Sequence, residues 1–311
     1  MIQEKTQFQN LEQFLNSLPQ LHKVLHINLR ENLIDDEGVL RLGYGLLKCL
    51  SLSNLTLDLS KNKIGYKGAS FLGICLGECI NLKNLTLYLS NHFFYKNQNQ
   101  IGDEGASKLG FGLGKCTNLQ NLTLYLDYNK IGETGASGLS SGLRMCTNLS
   151  NLTINLEENK IGEKGALDLS SGLEKCTNLQ SLALKLEINQ IGDEGVKRLG
   201  SSLGKYTNLS NLKLYLRYNN IGDDGASGLG FGLGKCANLS NLTLDLGNHY
   251  HNHSSNKIGI QGGSSLCSGL GKCSHLSILT LDLSNSKIQK SNQVKAKCLK
   301  SKRLVFLKID L

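Results

Sequence analysis

The apolar residues of this chain follow one alternation, Leu-x-Leu-x-Leu or a close variant, that recurs ten times. Its first Leu falls at Leu25, Leu55, Leu85, Leu122, Leu152, Leu182, Leu212, Leu242, Leu279 and Leu307. The steps between them are 30, 30, 37, 30, 30, 30, 30, 37 and 28 residues. A period of two marks a strand with one face buried. Each strand leads into an Asn and an Ile, as in Asn62-Lys63-Ile64, and then a Gly-acid turn, as in Gly102-Asp103-Glu104-Gly105. A helical stretch follows, for example Ala106 to Lys115, with Leu109 and Leu113 on one face. Asp103 and Glu104 suit the start of that helix, where N–H groups lack partners and the dipole is positive. The unit closes on Cys116-Thr117-Asn118-Leu119. Strand, helix and strand in alternation predict parallel strands joined by helical crossovers. One such unit cannot bury its own apolar face, so stacked units must share a core.

The run Leu52-x-x-Leu55-x-Leu57-x-Leu59-x-x-Asn62-x-Ile64-Gly65 resembles the leucine-rich repeat, and the resemblance covers roughly residues 20–311. The helix after each strand resembles the ribonuclease-inhibitor-like subtype, shared with Nod-like receptors and the Ran GTPase-activating protein. This implies an α/β leucine-rich-repeat solenoid, a curved horseshoe with parallel strands on the concave face and helices on the convex face. Residues 1–24 are expected as an N-terminal capping segment. Residues 25–311 are expected as about nine repeats, with 287–311 as a basic C-terminal cap. One departure stands out: a third Leu-x step, at Leu59, precedes the Asn. It lengthens the strand by two residues or alters the turn after it.

Composition refines this picture. Among 311 residues, 40% are apolar but only 6% aromatic, with no Trp, so the core is mainly Leu and Ile. With 35 Gly and one Pro, tight turns at regular spacing are favoured over collagen-like or disordered sequence. The net charge is +9. Residues 287–311 hold eight Lys or Arg (Lys287, Lys290, Lys295, Lys297, Lys300, Lys302, Arg303 and Lys308) against one Asp, a net of +7. The rest is therefore nearly neutral, and nucleic acid is not the expected partner. No stretch approaches the ~18 consecutive apolar residues of a membrane span, and Met1–Asn10 is too polar for a signal peptide. A cytoplasmic monomer is expected, possible as a piece of a larger protein.

Several residue types look chemical. Seven of ten Cys (Cys49, Cys79, Cys116, Cys146, Cys176, Cys236 and Cys273) lie six residues before a strand's first Leu, with Tyr206 at the missing rung. They read as a ladder of buried thiols rather than disulfides or metal ligands. The column Asn32, Asn62, Asn99, Asn129, Asn159, Asn189, Asn219 and Asn256 reads as a second ladder, partnering backbone groups at each turn. Asn-x-Thr matches such as Asn54-Leu55-Thr56 arise from strand entry and are not read as glycosylation sites. Gly110-Phe111-Gly112-Leu113-Gly114-Lys115 and its copy at Gly230–Lys235 resemble a phosphate loop but fall late in the helix, where Gly permits close helix approach. His249, His251 and His253 alternate as metal ligands could, yet lack supporting carboxylates. No cofactor and no catalytic constellation is expected.

Function is expected on the outward strand positions. The column Asn28, Asp58, Tyr88, Tyr125, Asn155, Lys185, Tyr215, Asp245, Asp282 and Asp310 carries Tyr and Lys in its middle and carboxylates toward its ends. Together with Tyr128, Arg217 and Tyr218 just beyond the strands, Tyr88, Tyr125, Lys185 and Tyr215 form a candidate patch for a protein partner. The two 37-residue steps each insert seven residues between strand and helix. One insertion contains His92, Phe93, Phe94 and Tyr95, the other His249, Tyr250 and His251. They are expected as two walls of one binding surface. The competing readings are a GTPase regulator, for which Arg30 is the positional match to the family's arginine, and a binder of an anionic surface or nucleic acid acting through the C-terminal Lys residues.

Overall fold

The computed structural model describes residues 7–17, 22–91, 98–248, 254–284, 288 and 304–310. The chain divides into two compact units, residues 1–159 and 160–311. The first runs β1 (Gln7–Phe8), α1 (Leu11–Leu15), β2 (Val24–Asn28), α2 (Asp36–Leu46), β3 (Asn54–Asp58), α3 (Tyr66–Glu78), β4 (Asn84–Tyr88), α4 (Gly102–Lys115), β5 (Asn121–Tyr125), α5 (Glu133–Leu143) and β6 (Asn151–Asn155). The second runs α6 (Gly162–Leu173), β7 (Ser181–Lys185), α7 (Gly192–Leu203), β8 (Asn211–Tyr215), α8 (Asp223–Leu233), β9 (Asn241–Asp245), α9 (Ile260–Leu270), β10 (Ile278–Asp282) and β11 (Phe306–Asp310). Each unit is an α/β repeat array whose strands pair parallel in chain order. Leu25, Leu55, Leu85, Leu122 and Leu152 share one rung of the first sheet. Leu182, Leu212, Leu242, Leu279 and Leu307 share the matching rung of the second. Insertions of seven residues leave these rungs in register because they lie wholly outside the strands.

The extra Leu step extends the ladder instead of remaking the fold. Leu59 is fully buried, and its N–H donates to the Tyr88 carbonyl at 2.8 Å. Two residues on, Lys61 turns left-handed at φ 55°, as do Tyr128, Glu158, Ile188 and Tyr218 at the same repeat position.

The Asn column then closes each turn. Asn62 Nδ2 donates to the carbonyls of Leu29 and Leu59, while its Oδ1 accepts from the N–H groups of Asn32 and Ile34. Asn159 makes the same set with Leu126, Leu156, Asn129 and Ile131, and Asn219 partners Leu186, Asn189 and Ile191. A second amide ladder runs at strand entry, where Asn151 donates to Asn121 at 2.6 Å and Asn84 donates to Asn54 at 2.5 Å. These are the Asn residues of the Asn-x-Thr matches, and their amides are engaged in the ladder.

The cysteine ladder is likewise structural. Cys116, Cys146, Cys236 and Cys273 are buried free thiols that donate to the carbonyls of Leu76, Leu113, Leu203 and Leu233 in the preceding repeat. Tyr206 fills its rung by donating its hydroxyl to the equivalent carbonyl of Leu173. Among the described residues eight Cys are free thiols, but Cys267, off the ladder, is disulfide-bonded.

Helix packing explains the glycines. A Cβ on Gly112 would overlap the Gly73 carbonyl of the neighbouring helix, and one on Gly142 would overlap that of Gly110. The Gly-rich segments lie in the second half of α4 and α8, where they let helix backbones touch.

The acidic turn works differently from its sequence reading. Asp103 does not cap its own helix. Its Oδ1 accepts from the N–H groups of Gly132 and Gly135, which open the next helix. Asp36 caps Gly65 and Gly68, and Asp193 caps Gly222 and Gly225, in the same way. Where the preceding repeat has Tyr66 or Glu163 at this position, the following glycine flips. Gly102 adopts φ +59° and donates to the Asn129 carbonyl, and Gly192 adopts φ +67° and donates to that of Asn219. One side chain thus selects the turn conformation of the next repeat.

Two predictions follow from these ladders. Gly102→Ala should cost about 1 kcal/mol, because φ there is left-handed. In a Tyr66→Asp background the aspartate can cap residue 102, releasing the flip, so the same substitution should cost less. A double-mutant cycle by urea unfolding measures this coupling, and strict additivity would refute the rule. The second concerns pH. Burial raises Cys49, Cys75, Cys116 and Cys236 from 9.0 to about 12, and Cys79, Cys176 and Cys273 to about 11. Folded thiols above the unfolded value contribute stability that is complete below pH 9.0 and lost as pH rises through 11–12. The urea midpoint should therefore fall between pH 8.5 and 10.5, and native thiols should resist alkylation at pH 8.5 until the chain unfolds.

Candidate functional site

The outward strand positions carry the candidate patch, and each unit presents its own part. In the first, Tyr88 and Tyr125 stand on adjacent strands at one rung and stack with centroids 4.8 Å apart and planes 8° from parallel. Burial, then Tyr125 and Asp58, raise the Tyr88 phenol above its usual value. Just beyond the strands, Asp127 accepts from Ser90 Oγ at 2.5 Å and from Asn155 Nδ2 at 2.9 Å. Tyr128 is half-buried in its left-handed turn, and its carbonyl accepts from Asn91 at 2.7 Å.

In the second unit, Lys185 Nζ lies 5.5 Å from the centroid of the Tyr215 ring on the next strand. Arg217, expected in the patch, is engaged by two carboxylates. Its Nε meets Asp245 at 2.6 Å and its Nη2 meets Asp282 at 3.0 Å, spanning two strands. Burial raises the Asp245 carboxyl, and Arg217 opposes that rise. Tyr218, in the same left-handed turn position as Tyr128, is only 7% accessible.

Seven candidates, His92, Phe93, Phe94, Tyr95, His249, Tyr250 and His251, lie outside the described residues. The roots of both insertions are described. Asn91 Nδ2 donates to the Asn99 carbonyl at 2.8 Å and its Oδ1 accepts the Asn99 N–H at 2.7 Å. Asn248 and Asn256 repeat both bonds at 2.9 Å. Each insertion therefore springs from a two-bond amide clamp that holds the repeat's Asn column in place. The sequence held the signal: both insertions begin Asn-His, at Asn91-His92 and Asn248-His249. Asp245 and Asp282, seen in sequence only as end carboxylates, are the other residues whose role was missed.

The C-terminal Lys patch lies outside the described residues except Lys308, which meets Asp310 at 3.1 Å. Arg30 is exposed after β2, with Nε 3.6 Å from Glu31. Among the described residues no three His, Cys, Asp or Glu side chains are placed to hold a metal ion, and no helix is long and apolar enough to cross a membrane.

The Arg217 bridge generates a prediction. Arg217→Leu should leave two facing carboxylates, one buried, without their cation, at a cost of about 2 kcal/mol at pH 7. Without the arginine the Asp245 pKa rises further, so the deficit should shrink as acid protonates that carboxyl. Urea melts at pH 7 and pH 4.5 measure it. An equal deficit at both values would rule out this account.

Comparison with known proteins bears on the repeats rather than on the patch. The family model described as Leucine Rich repeat matches residues 47–73, 97–110, 175–200 and 208–230. A search of curated protein sequences gives no match. Among solved structures, one titled "Leiomodin-1 Actin-Binding Site 2 (ABS2)" is similar at 16% identity and a TM-score of 0.35, over 48% of this chain and 79% of that one. So loose a superposition says nothing about this chain's partners. The matched stretches, the 30-residue spacing and the strand–turn–helix geometry together show leucine-rich repeats within this chain, arranged as an α/β repeat array.

Proposed function

We propose that the chain is a non-enzymatic protein-binding scaffold that engages a protein partner through its sheet face. The Tyr88–Tyr125 stack is the observation that carries this reading. Two half-buried aromatics, fixed against each other on rigid strands, offer contact area with little ordering cost on binding. Lys185 over Tyr215 supplies a cation beside an aromatic on the second unit's strands. The Arg217 bridge occupies the neighbouring carboxylates of Asp245 and Asp282, so recognition there rests on the Lys–Tyr pair. The aromatic insertions, rooted in amide clamps, are proposed to extend the contact surface. Helices of 11 to 14 residues returning between strands support the ribonuclease-inhibitor-like subtype.

The test isolates a partner with the intact chain as bait and then titrates it. Tyr88→Ala/Tyr125→Ala and Lys185→Ala/Tyr215→Ala should each weaken binding about 30-fold, the scale of losing a central aromatic anchor. Deleting residues 93–95 should weaken it less. Native affinity in both double variants, with unchanged folding, would remove the sheet face from the contact.

A further inference from the structure

The outer faces of three successive helices in the first unit carry a charge pattern that the repeat does not require. On α2 the exposed residues Glu37 and Tyr44 lie in one line along the helix, since seven residues are close to two whole turns, and exposed Lys48 stands in the turn two residues beyond the helix end. On α3 the same positions hold Lys67, Ile74 and Glu78, and on α4 they hold Glu104, Phe111 and Lys115. The three middle residues are strongly exposed, Tyr44 at 57%, Ile74 at 47% and Phe111 at 60%. The equivalent position on α5, α6, α7 and α9 is a serine (Ser141, Ser171, Ser201 and Ser268), and among the remaining helices only α8 has an aromatic there, Phe231. A groove of about 390 Å³ beside Phe111, walled by Met145 and floored by Gly138 and Gly142, adds apolar surface to this face.

Across α2, α3 and α4 the N-terminal ends read minus, plus, minus, and the C-terminal ends read plus, minus, plus. The helix dipole favours acids at every N-terminus and bases at every C-terminus. Lys67 and Glu78 reverse that preference on α3, so the dipole does not account for the pattern. Glu78 and Lys115 pair with each other between α3 and α4 at 3.1 Å, which accounts for one step of the alternation, and the pattern as a whole is self-complementary. A two-fold axis lying in the face and running across the helices reverses each helix over its own mate. Glu37 then opposes Lys48, Lys67 opposes Glu78, and Glu104 opposes Lys115, with the apolar middle residues side by side. A two-fold axis along the helices would instead place α2 over α4 and oppose like charges. Isologous contacts of the first kind are the usual way identical chains pair.

We infer that the outer face of α2–α4 is a homodimer interface, occupied by a second copy of this chain in antiparallel register. This departs from the expectation of a monomer.

The test uses the full chain. Sedimentation up to about 100 µM should show a reversible dimer that weakens with salt. Ile74→Ser/Phe111→Ser, which installs the residue most other repeats carry, should yield monomer with an unchanged urea midpoint. One triple variant, Lys48→Glu/Glu78→Lys/Lys115→Glu, makes both ends read minus, plus, minus. Its complement, Glu37→Lys/Lys67→Glu/Glu104→Lys, makes both read plus, minus, plus. Each alone should be monomeric, and their equimolar mixture should restore a heterodimer. Monomeric native protein at the highest concentration, or homodimers that persist in either triple variant, would overturn the inference. So would a mixture that stays monomeric while both variants remain folded.

Discussion

No repeat in this protein can satisfy its own buried backbone, and the structure depends on how that deficit is passed along. A turn behind a parallel strand leaves N–H and C=O groups pointing inward, where leaving each unpaired costs about 1–3 kcal/mol. The Asn column resolves this by reaching between repeats: the amide of Asn62 serves carbonyls of its own repeat and the previous one, and accepts two N–H groups from the previous one. Every rung therefore needs the next. The same logic governs the thiols, which donate to a carbonyl in the preceding helix's last turn, and the aspartates Asp36 and Asp103, which cap the following helix rather than their own.

Because these bonds run between repeats, local sequence changes have neighbouring effects. Where Tyr66 replaces the capping aspartate, the next helix opens through a left-handed Gly102 whose N–H finds a backbone carbonyl instead. Where seven residues are inserted, Asn91 or Asn248 forms two bonds across the gap, so the column continues as though the insertion were absent. The array tolerates loops because their entry and exit are pinned together by amide hydrogen bonds, which leaves the loops free to vary.

The faces left over by this scheme are where partners can act. The sheet face carries fixed aromatic and cation–aromatic pairs, while Asp245 and Asp282 are drawn to Arg217. The helical face of the first unit carries an apolar line between alternating charges, at positions where most repeats place serine. Neither feature serves the ladders, since the strands, the Asn column and the helix glycines hold the fold without them.

The sequence by itself determined the array: the period, the parallel strands, the helical returns, and the structural rather than chemical role of the Asn and Cys columns. Periodicity carries that information because each column has one environment, repeated. Tertiary structure alone decided which repeat each polar group serves. Asp103 looks like a cap for its own helix because the dipole argument is local, yet the nearest free N–H groups in space belong to the next helix. Arg217 looks exposed in an alternating pattern, yet a bridge to carboxylates on two strands occupies it. The reason is the same in each case: a one-dimensional period fixes what repeats, but a hydrogen bond or an ion pair forms with whatever stacking brings within about 3 Å.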